Sequence, residues 1–142
     1  MRFWFQENMY GHYREVKPSG RCGRFDFSCR AEGILPGFVF DRLTRIQGQV
    51  TMEGVAETAA LEGTLRIDPL ISRELVYDFT FQAGGARYRF LGKKTVRFLD
   101  PVASMTTLVG RVEQDGIAFA DVDSRFNLVE LPAFLGSWRV GF

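Results

Sequence analysis

Histidine and cysteine are almost missing from this chain of 142 residues, which holds one His and two Cys. A zinc site of the Cys/His kind needs more ligands than that, so a metal centre of this type is not expected. Neither sign of charge is in excess, with 18 basic and 17 acidic side chains. There is accordingly no electrostatic footprint for nucleic acid and no acidic tail. No apolar run approaches the roughly 20 residues that a helix needs to span a bilayer. Arg2 is followed only by Phe3-Trp4-Phe5, far short of a signal-peptide apolar region, so cytoplasmic residence is expected. No Gly-x-Ser-x-Gly elbow occurs either, and His12, in Gly11-His12-Tyr13, lacks a recognisable nucleophile to serve. It reads as a surface residue. Cys22 and Cys29 lie seven residues apart in one extended stretch, roughly 23 Å at strand rise, and point to opposite faces. Two reduced thiols are expected.

What the chain does have is glycine in a repeated setting and many aromatic rings: 15 Gly, 14 Phe, 4 Tyr and 2 Trp. An apolar–any–Gly–any–apolar pattern occurs as Ile46-Gln47-Gly48-Gln49-Val50, Leu61-Glu62-Gly63-Thr64-Leu65 and Leu108-Val109-Gly110-Arg111-Val112. A fourth copy, Phe90-Leu91-Gly92-Lys93-Lys94, ends in lysine instead. In a strand, each of these glycines shares a face with its apolar neighbours. There it lets the strand coil sharply or lets a neighbouring side chain lean across, so the set implies a sheet rolled around an apolar interior.

Alternation predicts strands over 24–31, 45–54 and 60–68, with a short helix or lid within 36–44. Gly84-Gly85 joins strands 74–83 and 86–98 by a two-residue turn of the primed type. Paired positions then sum to 169, placing Phe81 opposite Tyr88, Phe79 opposite Phe90, Tyr77 over the bare Gly92, and Leu75 opposite Lys94. Arg87, Arg89, Lys93 and Arg97 fall on the outer face near Glu74 and Asp78, an arrangement suited to water. Asp100-Pro101 opens a helical turn over 101–105. A second hairpin, 105–114 with 117–123, turns at Asp115-Gly116; its pairs sum to 231 and set Val112 opposite Phe119 and Gly110 opposite Asp121. Terminal strands are expected at 2–6 and from Trp138 to Phe142. Short connections throughout predict one all-β domain over 1–142: an antiparallel up-and-down barrel of about eight strands with short helical segments, closed so that no edge is left exposed.

Lys94 stands out chemically, since parity turns it inward among aromatic and aliphatic side chains. A buried ammonium must be paired or give up its proton. Glu7 and Asp121 are the expected partners. Lys94 then reads as an anchor for the polar end of an apolar ligand, as an amine for covalent chemistry, or as a structural ion pair or snorkelling side chain near a barrel mouth. Tyr77, Phe79, Tyr88 and Phe90 line the same face, as cavity wall or as filling, and the tyrosine hydroxyls mark a polar end.

The order of these pieces resembles a lipocalin-like (calycin-type) module associated with bacterial cholesterol-oxidase-type flavoproteins of the glucose-methanol-choline oxidoreductase family. The matching residues are Phe5-Gln6-Glu7-Asn8-Met9-Tyr10-Gly11, the strands around Gly48 and Gly63, Gly92-Lys93-Lys94-Thr95-Val96, and Met105-Thr106-Thr107-Leu108. No Gly-x-Gly-x-x-Gly fingerprint follows a strand here, so flavin chemistry is not carried over and no cofactor is expected. The resemblance implies a barrel that handles lipids or sterols beside such enzymes. The leading expectation is therefore non-enzymatic binding of a small apolar, lipid- or sterol-like molecule, with Lys94, Tyr77, Phe79, Tyr88, Phe90, Glu7 and Asp121 as the binding set. The alternatives are an interaction module, self-associating or accessory to a redox enzyme, and a barrel-type isomerase or cyclase.

Overall fold

A computed structural model describes residues 1–18, 20–68, 71–127 and 130–141. Eight antiparallel strands follow one another around a closed barrel: β1 (Arg2–Glu15), β2 (Cys22–Ile34), β3 (Leu43–Met52), β4 (Ala56–Asp68), β5 (Glu74–Ala83), β6 (Ala86–Thr95), β7 (Thr107–Gln114) and β8 (Ile117–Arg125). Each pairs with the next, and β1 closes the circle by pairing with both β2 and β8. A short β9 (Arg139–Gly141) adds to β1 at Arg2–Trp4. Among the described residues there are three short α-helices: α1 (Gly37–Asp41), α2 (Pro101–Thr106) and α3 (Leu131–Gly136). The all-β up-and-down barrel read from the alternation is thus present. Strand β1 runs much further than the expected 2–6, and Phe142 of the expected terminal strand lies outside the described residues.

Alternation holds with little exception, so that Phe25, Phe27, Cys29 and Ala31 of β2 and Ile46, Val50 and Met52 of β3 are buried between exposed or half-buried neighbours. The β5–β6 hairpin has the expected register throughout, from Ala83↔Ala86 to Glu74↔Thr95. Gly84 and Gly85 take φ of 56° and 80°, the left-handed pair that a primed turn needs and that glycine adopts without cost.

The β7–β8 hairpin departs from its expected register in an instructive way. Gln114↔Ile117 and Glu113↔Ala118 sum to 231, but Val112 pairs with Ala120 and Gly110 with Val122. Phe119 is the extra residue of a β-bulge, and its carbonyl accepts the amide of Val16 instead (3.0 Å). A one-residue slip exchanges the two faces of everything beyond it. Ala120, Val122 and Ser124 therefore face inward, and Asp121 faces out, paired with Arg111 at 3.1 Å. Asp121 is not a partner of Lys94.

The glycines serve two distinct purposes. At Gly48 and Gly63 an added Cβ would run into the carbonyl oxygens of Ser28 and Asp78, so these two allow close backbone approach between coiled strands. At Gly92 an added Cβ would meet the ring of Phe90, and at Gly110, its partner in the ladder, it would meet the Leu91 carbonyl oxygen first and the same ring next. Phe90, rather than the expected Tyr77, lies over Gly92.

Candidate functional site

The barrel interior is divided along its axis. Towards the hairpin end, rings fill it: Phe79 and Phe90 have centroids 4.9 Å apart, Phe25 and Phe90 5.2 Å, Phe27 and Phe79 5.1 Å, and Phe81 stacks on Tyr88 at 5.2 Å. Of the expected binding residues, Phe79, Phe90 and Tyr88 belong to this packed aromatic half. The other half, towards the loops that carry α1, α2 and α3, contains Glu7, Lys94 and the Tyr77 hydroxyl, while a further buried carboxylate, Glu15, sits at the hairpin end with Lys17 3.3 Å from it.

Lys94 is the penultimate residue of β6, and alternation turns it inward between Gly92 and Val96. Glu7 is turned inward between Phe5 and Met9 by the same alternation in β1, and Tyr77 by that of β5. The three meet inside. Lys94 Nζ lies 3.1 Å from Glu7 Oε2, the Tyr77 hydroxyl donates to Glu7 Oε1, and the ammonium stands 5.3 Å from the centroid of the Tyr77 ring. Lys94 is 2% exposed and Glu7 7%, so neither reaches water by snorkelling. Both carboxylate oxygens are occupied, whereas the ammonium, with three N–H groups, has one acceptor among the described residues.

Neighbouring groups feel this pair. Burial holds the Tyr77 phenol well above its ordinary pKa, and the charge and hydrogen bond of Glu7 add to the effect. Tyr77 therefore stays a donor across the physiological range. Cys29 pairs with Glu7 across β1 and β2, and burial, reinforced by Glu7 and opposed by Lys94, pushes its thiol up strongly. It is inert rather than nucleophilic. Cys22 is exposed and both thiols are free.

Sequence reasoning missed Ser124. Its side chain is fully buried, and its Oγ has no hydrogen-bond partner. Lys93 pairs with Val109 and Leu108 with Ser124, which places Ser124 two strands from Lys94 at a neighbouring level of the wall. Only the bulge at Phe119 turns it inward, and nothing in the sequence marks that bulge.

The wall beside Glu7 is built differently from the rest. Strand β1 pairs with β8 only from Tyr10 onward and with β9 only up to Trp4. Between these points the segment around α3 takes the place of a strand. The Gln6 amide donates to Ser137 Oγ (2.9 Å), and the Tyr10 hydroxyl donates to Glu130 Oε1 (2.8 Å). Phe134 packs edge-on against Phe5 (5.7 Å) and Phe126 (5.4 Å), while Trp138 stacks on Phe5 at 4.2 Å. The polar half of the interior is thus closed by a helical cap held with a few side-chain contacts. A cleft of about 700 Å³ lies outside the barrel beside α1, between Arg30, Phe38, Asp41 and Arg45; Glu7, Tyr77 and Lys94 do not line it.

His12 is exposed, as expected. Among the described residues no group of His, Cys, Asp and Glu is placed to hold a metal ion, and no helix is long and apolar enough to cross a membrane. Comparison with family models, curated proteins and solved structures gives no match to this chain.

Proposed function

We propose that the barrel binds, without chemistry, a small apolar molecule with a polar terminus, seated in the half of the interior that holds Glu7, Tyr77 and Lys94. The observation that carries this reading is the buried ion pair with ammonium N–H groups to spare. A buried pair stabilises a fold less than well-packed apolar side chains of the same volume. Its presence among Phe, Leu and Val is thus better accounted for by a ligand than by stability. The unpartnered Ser124 Oγ is a second polar group in the same region.

The chemistry narrows the ligand. Glu7 and Lys94 together carry no net charge, and a ligand carboxylate brought to Lys94 would also approach the Glu7 oxygens. An uncharged oxygen, hydroxyl or carbonyl, at the end of an apolar body accepts from the ammonium without that repulsion. A sterol-like alcohol or ketone fits this description, and it is the class that the resemblance to the cholesterol-oxidase-associated module implies. The cap formed by α3 is the natural way in, because among the described residues it is the part of the wall beside Glu7 not held by a strand ladder.

The test is a titration with a fluorescent sterol, dehydroergosterol, alongside a fluorescent fatty acid, parinaric acid, together with native mass spectrometry of protein purified from its own host. Saturable sterol binding, weaker fatty-acid binding, and loss of the sterol in a folded Glu7→Gln/Lys94→Met double variant are expected. Bare chain mass from the host combined with no saturable binding of either probe would overturn the reading.

A further inference from the structure

Residues 130–138, which include α3, are tied more firmly to themselves than to the strand they cover. Within the segment, the Ser137 amide donates to the Phe134 carbonyl (3.1 Å) and the Trp138 amide to that of Leu135 (3.4 Å). Ser137 Oγ also donates to the Phe134 carbonyl (2.7 Å). The Arg139 guanidinium donates to the Gly136 and Trp138 carbonyls and so joins the helix end to β9. These bonds make one body of the segment. Across to β1 the hydrogen bonds run through side chains among the described residues. The Gln6 amide and carbonyl lie 2.9 and 3.3 Å from Ser137 Oγ, and the Tyr10 hydroxyl donates to Glu130 Oε1. One serine hydroxyl stands where a paired strand would bring a row of backbone groups. No residue of α3 is buried, and the rings of Phe134 and Trp138 supply the apolar contact, against Phe5.

The chain on either side is held by its backbone. Ahead of the segment, Arg125 pairs with Tyr10 and the Phe126 amide donates to the Thr106 carbonyl (2.9 Å). After it, Arg139 pairs with Trp4. Lifting residues 130–138 breaks neither ladder and spares the bonds inside the body. Closure also carries a cost of its own. Glu130 Oε2 is buried without a hydrogen-bond partner, and lifting returns that oxygen to water. A cover held by a few side-chain contacts, between ends fixed by ladders, is the low-stability kind of element that opens locally. Beneath it lie Phe5 and Gln6, next to the inward-facing Glu7.

We infer that residues 130–138 are a lid that swings from its β9 end, latched by Tyr10–Glu130 and Gln6–Ser137, and that its opening sets how fast a molecule enters or leaves the Glu7–Tyr77–Lys94 half of the interior. The gating rests on the interior-binding reading; the swinging stands on the hydrogen bonds alone. A lid that opens rarely and does not grip the ligand multiplies entry and exit by the same factor. It governs speed and leaves affinity alone.

Native-state hydrogen exchange of the wild-type chain in low urea decides the movement. The Gln6 amide should exchange with a lower opening free energy and a smaller urea dependence than the ladder amides shared by β5 and β6. Exchange of Gln6 only together with those amides, at the same urea dependence, overturns the lid. Stopped-flow mixing with dehydroergosterol decides the gating. In Tyr10→Phe/Ser137→Ala both latches are lost, so association and dissociation should each quicken on the order of ten-fold while Kd stays within about two-fold. Rates equal to wild type in that variant overturn the gating, as does a change confined to dissociation. Absence of sterol binding in the wild-type chain would instead remove the interior reading, and the exchange of Gln6 would still decide the lid.

Discussion

At the scale of single residues, the Glu7–Tyr77–Lys94 group sets both the chemistry and the vulnerability of the interior. Lys94→Met removes the cation and leaves the Glu7 carboxylate buried with Tyr77 alone, so the variant should lose about 3–5 kcal/mol in urea unfolding. Replacing the group as a whole, with Glu7→Leu, Tyr77→Phe and Lys94→Met together, leaves no orphaned charge or hydroxyl and should recover most of that loss. If the triple variant were no more stable than Lys94→Met, the apolar surroundings would have to depend on the polar group in some further way. Tyr77 also gives a pH signature. Its phenol is held above the ordinary value, so the folded chain keeps a proton that the unfolded chain releases near pH 10. Stability from this source is complete below that pH and falls as pH rises through and beyond it. Tyr77→Phe should flatten the alkaline decline measured by urea unfolding between about pH 9 and 11. Lys94 and Glu7 were both legible as partners from parity and the cost of burying an ammonium. Asp121 was not correctly placed, because a one-residue bulge lies between it and the turn from which its pairing was counted.

At the scale of elements, the sequence speaks most clearly where turn, alternation and charge agree. The β5–β6 hairpin satisfies all three, and Arg89 donates to both oxygens of Asp78 (2.9 and 2.7 Å) on its outer face, as the spacing suggested. The β7–β8 hairpin has an equally clear turn at Asp115-Gly116, yet Phe119 slips past its neighbours because its carbonyl is used by Val16, a contact from a distant loop that no local pattern encodes. The glycine repeat was legible as a sign of coiling, but which glycine admits backbone and which admits a ring depends on strand crossing. The distinction can be measured. Gly63→Ala would drive a methyl group into the Asp78 carbonyl and should cost at least about 1–3 kcal/mol by thermal or urea unfolding. No local pattern in the sequence assigns the α3 segment a place in the barrel. Its role as the wall beside Glu7 arises from contacts more than a hundred residues apart in sequence, such as Gln6 with Ser137. Ser137→Ala with Phe134→Ala should leave the barrel folded while speeding hydrogen exchange of the amides in 5–9, the stretch of β1 without a strand on that side.

At the scale of the whole molecule, closure depends on both ends of the chain. Strand β1 is paired on one side with β2 and on the other with β8 and β9, so the last strands to emerge complete the ladder of the first. Removing residues 131–142 would bare the edge of β1 from Arg2 to Met9, and an open edge is a template for intermolecular pairing. Light scattering of that truncated chain should show concentration-dependent aggregation absent from the full chain. Remaining monomeric at the same concentrations would mean that another segment seals the edge.

The Gly84-Gly85 tip lies at the end of the molecule opposite the connections that carry α1 and α2, and nothing packs over the outer side of its two glycines. A graft there, whether an epitope, a dye or an anchor to a sensor chip, would hold the barrel upright with its opposite rim presented, because exposed turns of small residues accept insertions with little disturbance elsewhere. Immobilised in that orientation, the protein would offer every approaching solute the same face.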